Sequence, residues 1–189
     1  MNEQERLQLL VLARESIRRR LLDARELRPT REEFSDDKFW QDRGVFVTLT
    51  EHGELRGCIG TIMPVSPLVQ AVVSNALSAA FDDPRFEPLE EVEFTSVRIE
   101  ISLLSVPTEL AFSSLTDLKS RLGATRPGVI LQRAQYQATF LPQVWEQLPD
   151  VSSFLDALCH KAGLRSESLS QPGLSVFTYT VEAFSEEGE

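Results

Sequence analysis

Leu55-Arg56-Gly57-Cys58-Ile59-Gly60-Thr61 is an apolar, strand-like stretch that also holds an arginine, a cysteine and two glycines. Because side chains alternate across a strand, Arg56, Cys58 and Gly60 are expected on one face and the remaining four residues on the other. Glycine weakens a strand, since it packs nothing and adds backbone entropy. Two glycines around Cys58 therefore indicate that another group approaches the backbone closely there, and they mark a candidate functional site.

The residues on both sides of this stretch predict a hairpin followed by a buried helix. Gly44 to Thr50 is typical of a first strand, and Glu51-His52-Gly53-Glu54 is typical of the turn. Beyond the second strand, Ser66 is a candidate helix cap with Pro67 at the first helical position. The segment from Leu68 to Phe81 is almost wholly apolar. A helix that apolar is buried on most sides, so we expect it to cross the sheet and form the centre of the core.

The rest of the chain predicts paired strands with helices between them. An N-terminal helix over residues 3–25 is expected to pack on the core. The further elements are a strand from Phe94 to Leu104, a short helix from a Ser114 cap to Leu122, a hairpin of Val129–Gln132 and Tyr136–Leu141, a helix from Phe154 to Ala162, and a last strand from Val176 to Phe184. This pattern favours an α+β fold with a mixed or mainly antiparallel sheet, in a single domain spanning residues 1–189.

Length and composition narrow the class of protein. The chain has 189 residues, of which 42% are hydrophobic, so it can bury a sizeable core. Two cysteines imply no disulfide framework, and neither an apolar run of membrane-spanning length nor a signal peptide is evident. We therefore expect a cytoplasmic protein.

Charge argues against direct binding of nucleic acid. The net charge of −10 repels phosphates. One local exception is a concentration of arginines near the N-terminus, namely Arg14, Arg18, Arg19, Arg20, Arg25, Arg28 and Arg31. These arginines fit a solvated helix face, or a local basic patch that outweighs the average field.

Cys58 is the main candidate for chemistry. A free cysteine is commonly a small, inert, buried residue, but a neighbouring cation such as Arg56 favours the reactive thiolate. A catalytic cysteine also needs a base. His52 lies in the predicted turn and points poorly at Cys58, whereas His160 lies on a distant helix. The sequence has no zinc-ligand spacing, phosphate-binding loop or dinucleotide fingerprint, so we expect no metal and no cofactor.

Charged residues outside the stretch have two interpretations each. The acidic residues of the loop over 82–87 could bind a hard cation, or they could fix the turn. Asp83 and Arg85 could pair across the intervening proline, either as part of a site or as a structural clamp. Glu100 lies on the polar face of the clearest strand. It must pair with a cation such as Arg56 if that face is covered, and it is ordinary surface if the face is open.

Five segments, in order along the chain, together resemble the AMMECR domain family, also called AmmeMemoRadiSam system protein A. The resemblance runs from about Gly44 to Phe184. The segments are Leu55–Thr61, Asp83-Pro84-Arg85-Phe86, Ile99–Pro107, Thr139-Phe140-Leu141-Pro142-Gln143-Val144-Trp145, and Leu158-Cys159-His160-Lys161-Ala162-Gly163-Leu164. The resemblance implies an α+β domain with a main sheet, a smaller lobe and a cleft near the Leu55–Thr61 strand.

The resemblance also implies association with a Memo-like protein and a radical SAM enzyme, in modification of a macromolecule. Two alternatives remain open: a stand-alone enzyme that uses Cys58 as nucleophile or redox thiol, and a protein-interaction module. The candidate catalytic residues are Cys58, Arg56 and Glu100. The candidate substrate-binding residues are Gly57, Gly60, Thr61, Asp83, Arg85, Phe86 and Gln143. We expect the polar groups around Cys58 to converge on one cleft.

Overall fold

The computed structural model describes residues 1–23 and 27–186. In chain order its elements are α1 (Glu3–Asp23), β1 (Val45–Glu51), β2 (Glu54–Thr61), α2 (Leu68–Phe81), β3 (Val97–Leu104), β4 (Thr108–Glu109), α3 (Leu115–Thr125), β5 (Gly128–Arg133), β6 (Tyr136–Phe140), α4 (Val144–Gln147), α5 (Val151–Lys161), β7 (Ser175–Tyr179) and β8 (Val181–Ser185). They form two compact units, Met1–Val106 with Glu182–Glu189, and Pro107–Val181. None of the described helices is both long and apolar enough to cross a membrane.

The sheet of the first unit has the strand order β2-β1-β3-β8, and β1 pairs antiparallel with both of its neighbours. Val45, Val47 and Leu49 on β1 are completely buried and form one face of the sheet. The predicted turn closes the β1–β2 hairpin, and His52 and Gly53 adopt positive φ angles of 52° and 85° there. Tight hairpin turns require such angles, which glycine adopts without strain.

Helix α2 covers the buried face of this sheet. It spans Leu68–Phe81, as the apolar run predicts, and nine of its residues are buried. The N-cap position belongs to Pro67 and not to Ser66, and no side chain caps the helix. Instead the amide of Leu68 donates to the carbonyl of Gln41 at 2.9 Å. The predicted cap is wrong because a distant backbone carbonyl satisfies the first amide.

Helix α1 packs on α2 and on β3. Its buried face contributes Leu9, Leu12, Ala13 and Ile17 to the core of the first unit. The helix begins at Glu3, where Asn2 and Glu5 cap each other's backbone amides at 2.9 and 3.0 Å. The predicted end of this helix at residue 25 lies outside the described residues.

The second, smaller unit has its own sheet, with the strand order β4-β7-β5-β6 and antiparallel pairing throughout. Helices α3 and α5 supply much of its separate core. At the centre of that core the Trp145 and Phe154 rings stack, with centroids 3.6 Å apart and planes within 1°. The indole nitrogen of Trp145 donates to the carbonyl of Pro127 at 2.8 Å, so the ring is buried with its polar atom satisfied.

Two strand predictions are corrected by the structure, although the predicted α+β class is confirmed. Strand β3 begins at Val97 instead of Phe94, because the amides of Phe94 and Ser96 donate to the nearby carbonyls of Glu91 and Glu93 in a turn. The predicted strand from Val176 to Phe184 is two strands, β7 and β8, which belong to different sheets. Both segments have strand-like composition, so the break between them leaves no local signal.

Replacing Gly57 with alanine should destabilise the first unit by about 1–3 kcal/mol. A Cβ built on Gly57 lies 2.1 Å from the carbonyl oxygen of Ala79 in α2, and backbone cannot move aside cheaply. Gly123→Ala is the matched control, since its Cβ meets only the Val151 side chain at 3.1 Å within a helix. Urea unfolding of both variants measures the difference, and a Gly57→Ala protein as stable as Gly123→Ala would contradict the close contact.

Candidate functional site

Three polar side chains form a row across the face of the first sheet that is turned away from α2. Cys58 on β2 lies opposite Thr48 on β1, and Thr48 lies opposite Glu100 on β3. The Thr48 hydroxyl donates to the Cys58 sulfur at 3.3 Å. All three residues are half-buried. Among the described residues, nothing forms a hydrogen bond or an ion pair with the Glu100 carboxylate.

A second row on the same face contains Gly60, Phe46 and the buried Ser102. The Phe46 ring lies across Gly60, because a Cβ built on this glycine would be 2.3 Å from the ring. Gly57 approaches α2 on the other face of the strand. The two glycines of the stretch therefore allow two different close approaches, one by a helix backbone and one by an aromatic ring.

Arg56 lies at an irregularity of the β1–β2 pairing. Gly57 is opposite Leu49, but Thr50 is opposite Leu55, so the strict alternation predicted for β2 fails at Leu55. One extra residue on a strand forms a bulge, which redirects the side chains there.

The Arg56 guanidinium forms an ion pair with Glu93, and not with Glu100, the partner that the sequence allowed for a covered sheet face. Its nitrogens donate to the two Glu93 carboxylate oxygens at 2.8 and 3.0 Å and to the Glu87 carbonyl at 3.0 Å. This pairing raises the pKa of Arg56 and lowers the pKa of Glu93. The charge of Arg56 is thus neutralised at Glu93, so it is not available as an unpaired cation for Cys58.

Asp83 and Arg85 close the outer edge of β2. One Asp83 oxygen accepts from the Cys58 amide at 2.9 Å and from Arg85 at 2.7 Å, while the other accepts from the Arg85 side chain and amide. Arg85 also donates to the Cys58 carbonyl at 3.3 Å. The pair satisfies both backbone groups of Cys58, as a neighbouring strand would. Hydrogen bonds from Arg85 hold the pKa of Asp83 well below its usual range, although burial opposes this.

The remaining predicted residues are placed differently. Phe86 is half-buried, with its ring centroid 5.9 Å from the Arg56 guanidinium carbon and 5.4 Å from that of Arg85. Thr61 is exposed at the end of β2. Gln143 is exposed in the second unit, directly before α4. The structure thus places the Asp83–Arg85 pair against the backbone of Cys58, and it places Glu100 in the same row as Cys58 with Thr48 between them.

Neither histidine supplies a base in this row. His52 is exposed in the hairpin turn, and His160 is exposed on α5 of the second unit. Across residues 1–23 and 27–186, no three His, Cys, Asp or Glu side chains cluster closely enough to hold a metal ion. What the row offers is a carboxylate, a hydroxyl and a thiol beside an aromatic ring, which suits binding of a hydrogen-bond donor or a cation.

Sequence reasoning did not single out Thr48, Phe46 or Glu93. A regular hairpin with a turn at His52-Gly53 would place Thr48 opposite Gly57 and Phe46 opposite Ile59. The bulge at Arg56 shifts this register by one residue, so Thr48 lies opposite Cys58 and Phe46 opposite Gly60. Glu93 gave no signal in the sequence either, because its segment reaches Arg56 only through the tertiary fold.

Comparisons with known proteins agree on one family. The sequence model of the AMMECR1 family matches residues 10–184. A protein of Methanothermobacter thermautotrophicus is 37% identical over 181 residues, covering 95% of this chain and 93% of that protein. A Caldivirga maquilingensis protein is 38% identical over 187 residues, covering 95% of this chain and 84% of that protein. The crystal structure of the uncharacterized protein PH0010 from Pyrococcus horikoshii is similar with a TM-score of 0.85 and 32% identity, covering 99% of this chain and 94% of that chain.

Replacing Asp83 with asparagine should cost about 2 kcal/mol of stability at neutral pH, since a buried carboxylate with charged partners is lost. A carboxyl group whose pKa is lowered by folding stabilises the protein above its unfolded pKa, near 4, and this stabilisation fades as the pH falls further. The difference between wild type and Asp83→Asn should therefore shrink below about pH 4.

Asp37→Asn is the matched control, because Asp37 forms an ion pair with Arg31 but its side chain is 88% exposed. Chemical denaturation from neutral to acidic pH measures all three proteins. If Asp83→Asn and Asp37→Asn lose equal amounts of stability relative to wild type, the special role of Asp83 is refuted.

Proposed function

The chain belongs to the AMMECR1 family, and we propose that it is a cytoplasmic binding component that acts with a Memo-like protein and a radical SAM enzyme on a macromolecular substrate. We further propose that the row of Cys58, Thr48 and Glu100, with Phe46 beside it, is the binding site. The single observation that supports this most strongly is the half-buried Glu100 carboxylate, which lacks any hydrogen bond or ion pair with the described residues.

The state of the neighbouring charges argues against a catalytic role for Arg56 and Asp83. Arg56 is neutralised by Glu93, and Asp83 accepts four hydrogen bonds, so neither is free to transfer a proton or to stabilise a developing charge. General acid–base chemistry needs a group within hydrogen-bond reach whose proton can move. Glu100 is the carboxylate of this row, and no hydrogen bond or ion pair with the described residues holds it.

The setting of Glu100 also suits recognition. It lies on the central part of a four-stranded sheet, whose backbone holds side chains more rigidly than a loop does. A partly buried carboxylate gains more from a charge-assisted hydrogen bond than an exposed one, because less water competes. An arginine, a lysine or an N–H group of a partner would satisfy Glu100 while packing on the Phe46 ring.

Glu100→Gln should weaken the complex with the Memo-like protein or the radical SAM enzyme about tenfold or more, because an amide cannot replace a charged acceptor. The test is co-expression of the tagged chain with both proteins from the same genome, followed by co-purification and titration of each pair. Glu54→Gln on the exposed end of β2 is the matched control, and it should bind like wild type.

Two results would contradict this proposal. If the wild-type chain binds neither protein in co-expression or in titration, the assignment of partners is wrong. If Glu100→Gln and Glu54→Gln bind equally well, the partners are right but the site is wrong.

A stand-alone thiol enzyme is the second candidate, and the hydrogen bond from Thr48 to the Cys58 sulfur favours it. A donor to sulfur stabilises the thiolate, which is the reactive form. Burial and the nearby Asp156 carboxylate raise the pKa of the second cysteine, Cys159, to about 11, so Cys159 serves as an internal reference.

Iodoacetamide at neutral pH should therefore label Cys58 and leave Cys159 unmodified in the folded protein. Thr48→Val should slow the labelling of Cys58, since valine preserves the shape of threonine but removes the hydrogen-bond donor. Mass spectrometry of timed samples gives both rates. A Cys58 that reacts no faster than the same thiol in the denatured chain would argue against a chemical role.

A further inference from the structure

Helix α1 has an apolar stripe on each of two opposite faces. The inner stripe is buried in the core and includes Leu9, Ala13 and Ile17. The outer stripe contains Leu7, Val11 and Leu22, whose exposed fractions are 59%, 57% and 50%. At 100° per residue these three side chains lie within a narrow arc opposite the buried one. Single exposed leucines are common on protein surfaces, but three in register on one helix indicate a surface that another molecule covers.

Leu7 and Val11 form a ridge with a groove on each side. One groove, of about 710 Å³, runs between α1 and the Phe94 and Phe184 rings, with Leu10 in its floor. The other, of about 370 Å³, lies between α1 and the side chains of Leu27 and Phe34. We call the ridge and its two grooves the α1 outer face. Every residue that lines it belongs to the first unit.

Most of the basic side chains around the α1 outer face are paired with neighbouring carboxylates. Arg14 binds Glu186 at 2.5 Å, and its guanidinium also lies over the Phe94 ring at 5.1 Å. Glu15 accepts from Arg18 at 2.6 Å and from Arg19 at 2.8 Å.

Arg6 extends this pairing by binding Glu182 at 2.7 Å. The arginines that suggested a local basic patch in the sequence are therefore largely compensated along this helix. The α1 outer face is close to neutral, on a chain whose net charge is −10.

We propose that the α1 outer face is the contact through which two copies of this chain form a symmetric dimer. A two-fold interface brings the same patch of both copies together, so the patch must complement itself. A ridge beside a groove has this property, because a half-turn can bring each Leu7–Val11 ridge to the groove of the other copy. Helices pack in this way, with ridges of side chains entering grooves.

Charge also favours a second copy as the occupant. Two strongly acidic molecules repel each other over most of their surfaces and approach most easily where the local charge is neutral. A basic partner would find better contacts on the acidic remainder of the protein. A nucleic acid would find most of the helix arginines already neutralised by Glu15, Glu182 and Glu186. This inference does not depend on the proposed function, since it uses neither Cys58 nor Glu100.

The test is the molecular mass of the purified full-length chain in solution, measured by sedimentation equilibrium across the micromolar range. We expect a reversible monomer–dimer equilibrium. Leu7→Glu and Val11→Glu should each raise the dimer dissociation constant about tenfold or more, since each places a charge in an apolar contact. Val65→Glu is the matched control, because Val65 is an apolar residue of the same unit with 71% exposure, and it should leave the dimer intact.

Circular dichroism and thermal unfolding confirm that each variant is folded, which is expected because all three side chains are exposed. A wild-type chain that stays monomeric at the highest concentration would overturn the proposal and would leave the α1 outer face to a different protein. A dimer that Leu7→Glu and Val11→Glu do not weaken would also overturn it, because the contact would then lie elsewhere.

Discussion

The close approach of α2 to the backbone of β2 is the constraint on which the first unit depends. Gly57 makes this approach possible, because any larger residue would place its Cβ against the Ala79 carbonyl. With α2 held there, the chain that leaves its C-terminal end brings Asp83 to the edge of β2, where it binds the Cys58 amide. One glycine thus positions the core helix, and the loop after that helix closes the sheet edge.

The same constraint decides which face of the sheet carries the candidate site. Helix α2 occupies the face of Val45, Val47 and Leu49, so Cys58, Thr48 and Glu100 lie on the opposite face. Gly60 has a different role on that face, because its lack of a side chain allows the Phe46 ring to pack across it. The two glycines that stand out in the sequence therefore act on opposite faces of one strand, and Cys58 lies between them.

Arg56, Arg85 and Asp83 are held in ion pairs, whereas the Glu100 carboxylate is not. Arg56 joins β2 to the segment after α2 through its ion pair with Glu93. The Asp83–Arg85 pair joins the same segment to β2 through hydrogen bonds with the Cys58 backbone. The sequence pointed to all four polar positions around Cys58 as one group, but the fold assigns the arginines and Asp83 to fixing the edge of the sheet. The half-buried Glu100 carboxylate has no partner among the described residues, so a ligand could satisfy it without breaking a contact.

Elements with local signals can be derived from the amino-acid sequence alone. The β1–β2 hairpin follows from alternating apolar residues around His52-Gly53, the bounds of α2 from an unbroken apolar run, and the start of α3 from the Ser114 cap, which accepts from the Asp117 amide at 3.1 Å. Three features came from the tertiary fold and not from local pattern: the bulge at Arg56, the break between β7 and β8, and the pairing of Arg56 with Glu93 instead of Glu100. Each of these depends on groups that are distant along the chain, and propensity and periodicity carry no information about such groups because they describe a residue only through its near neighbours.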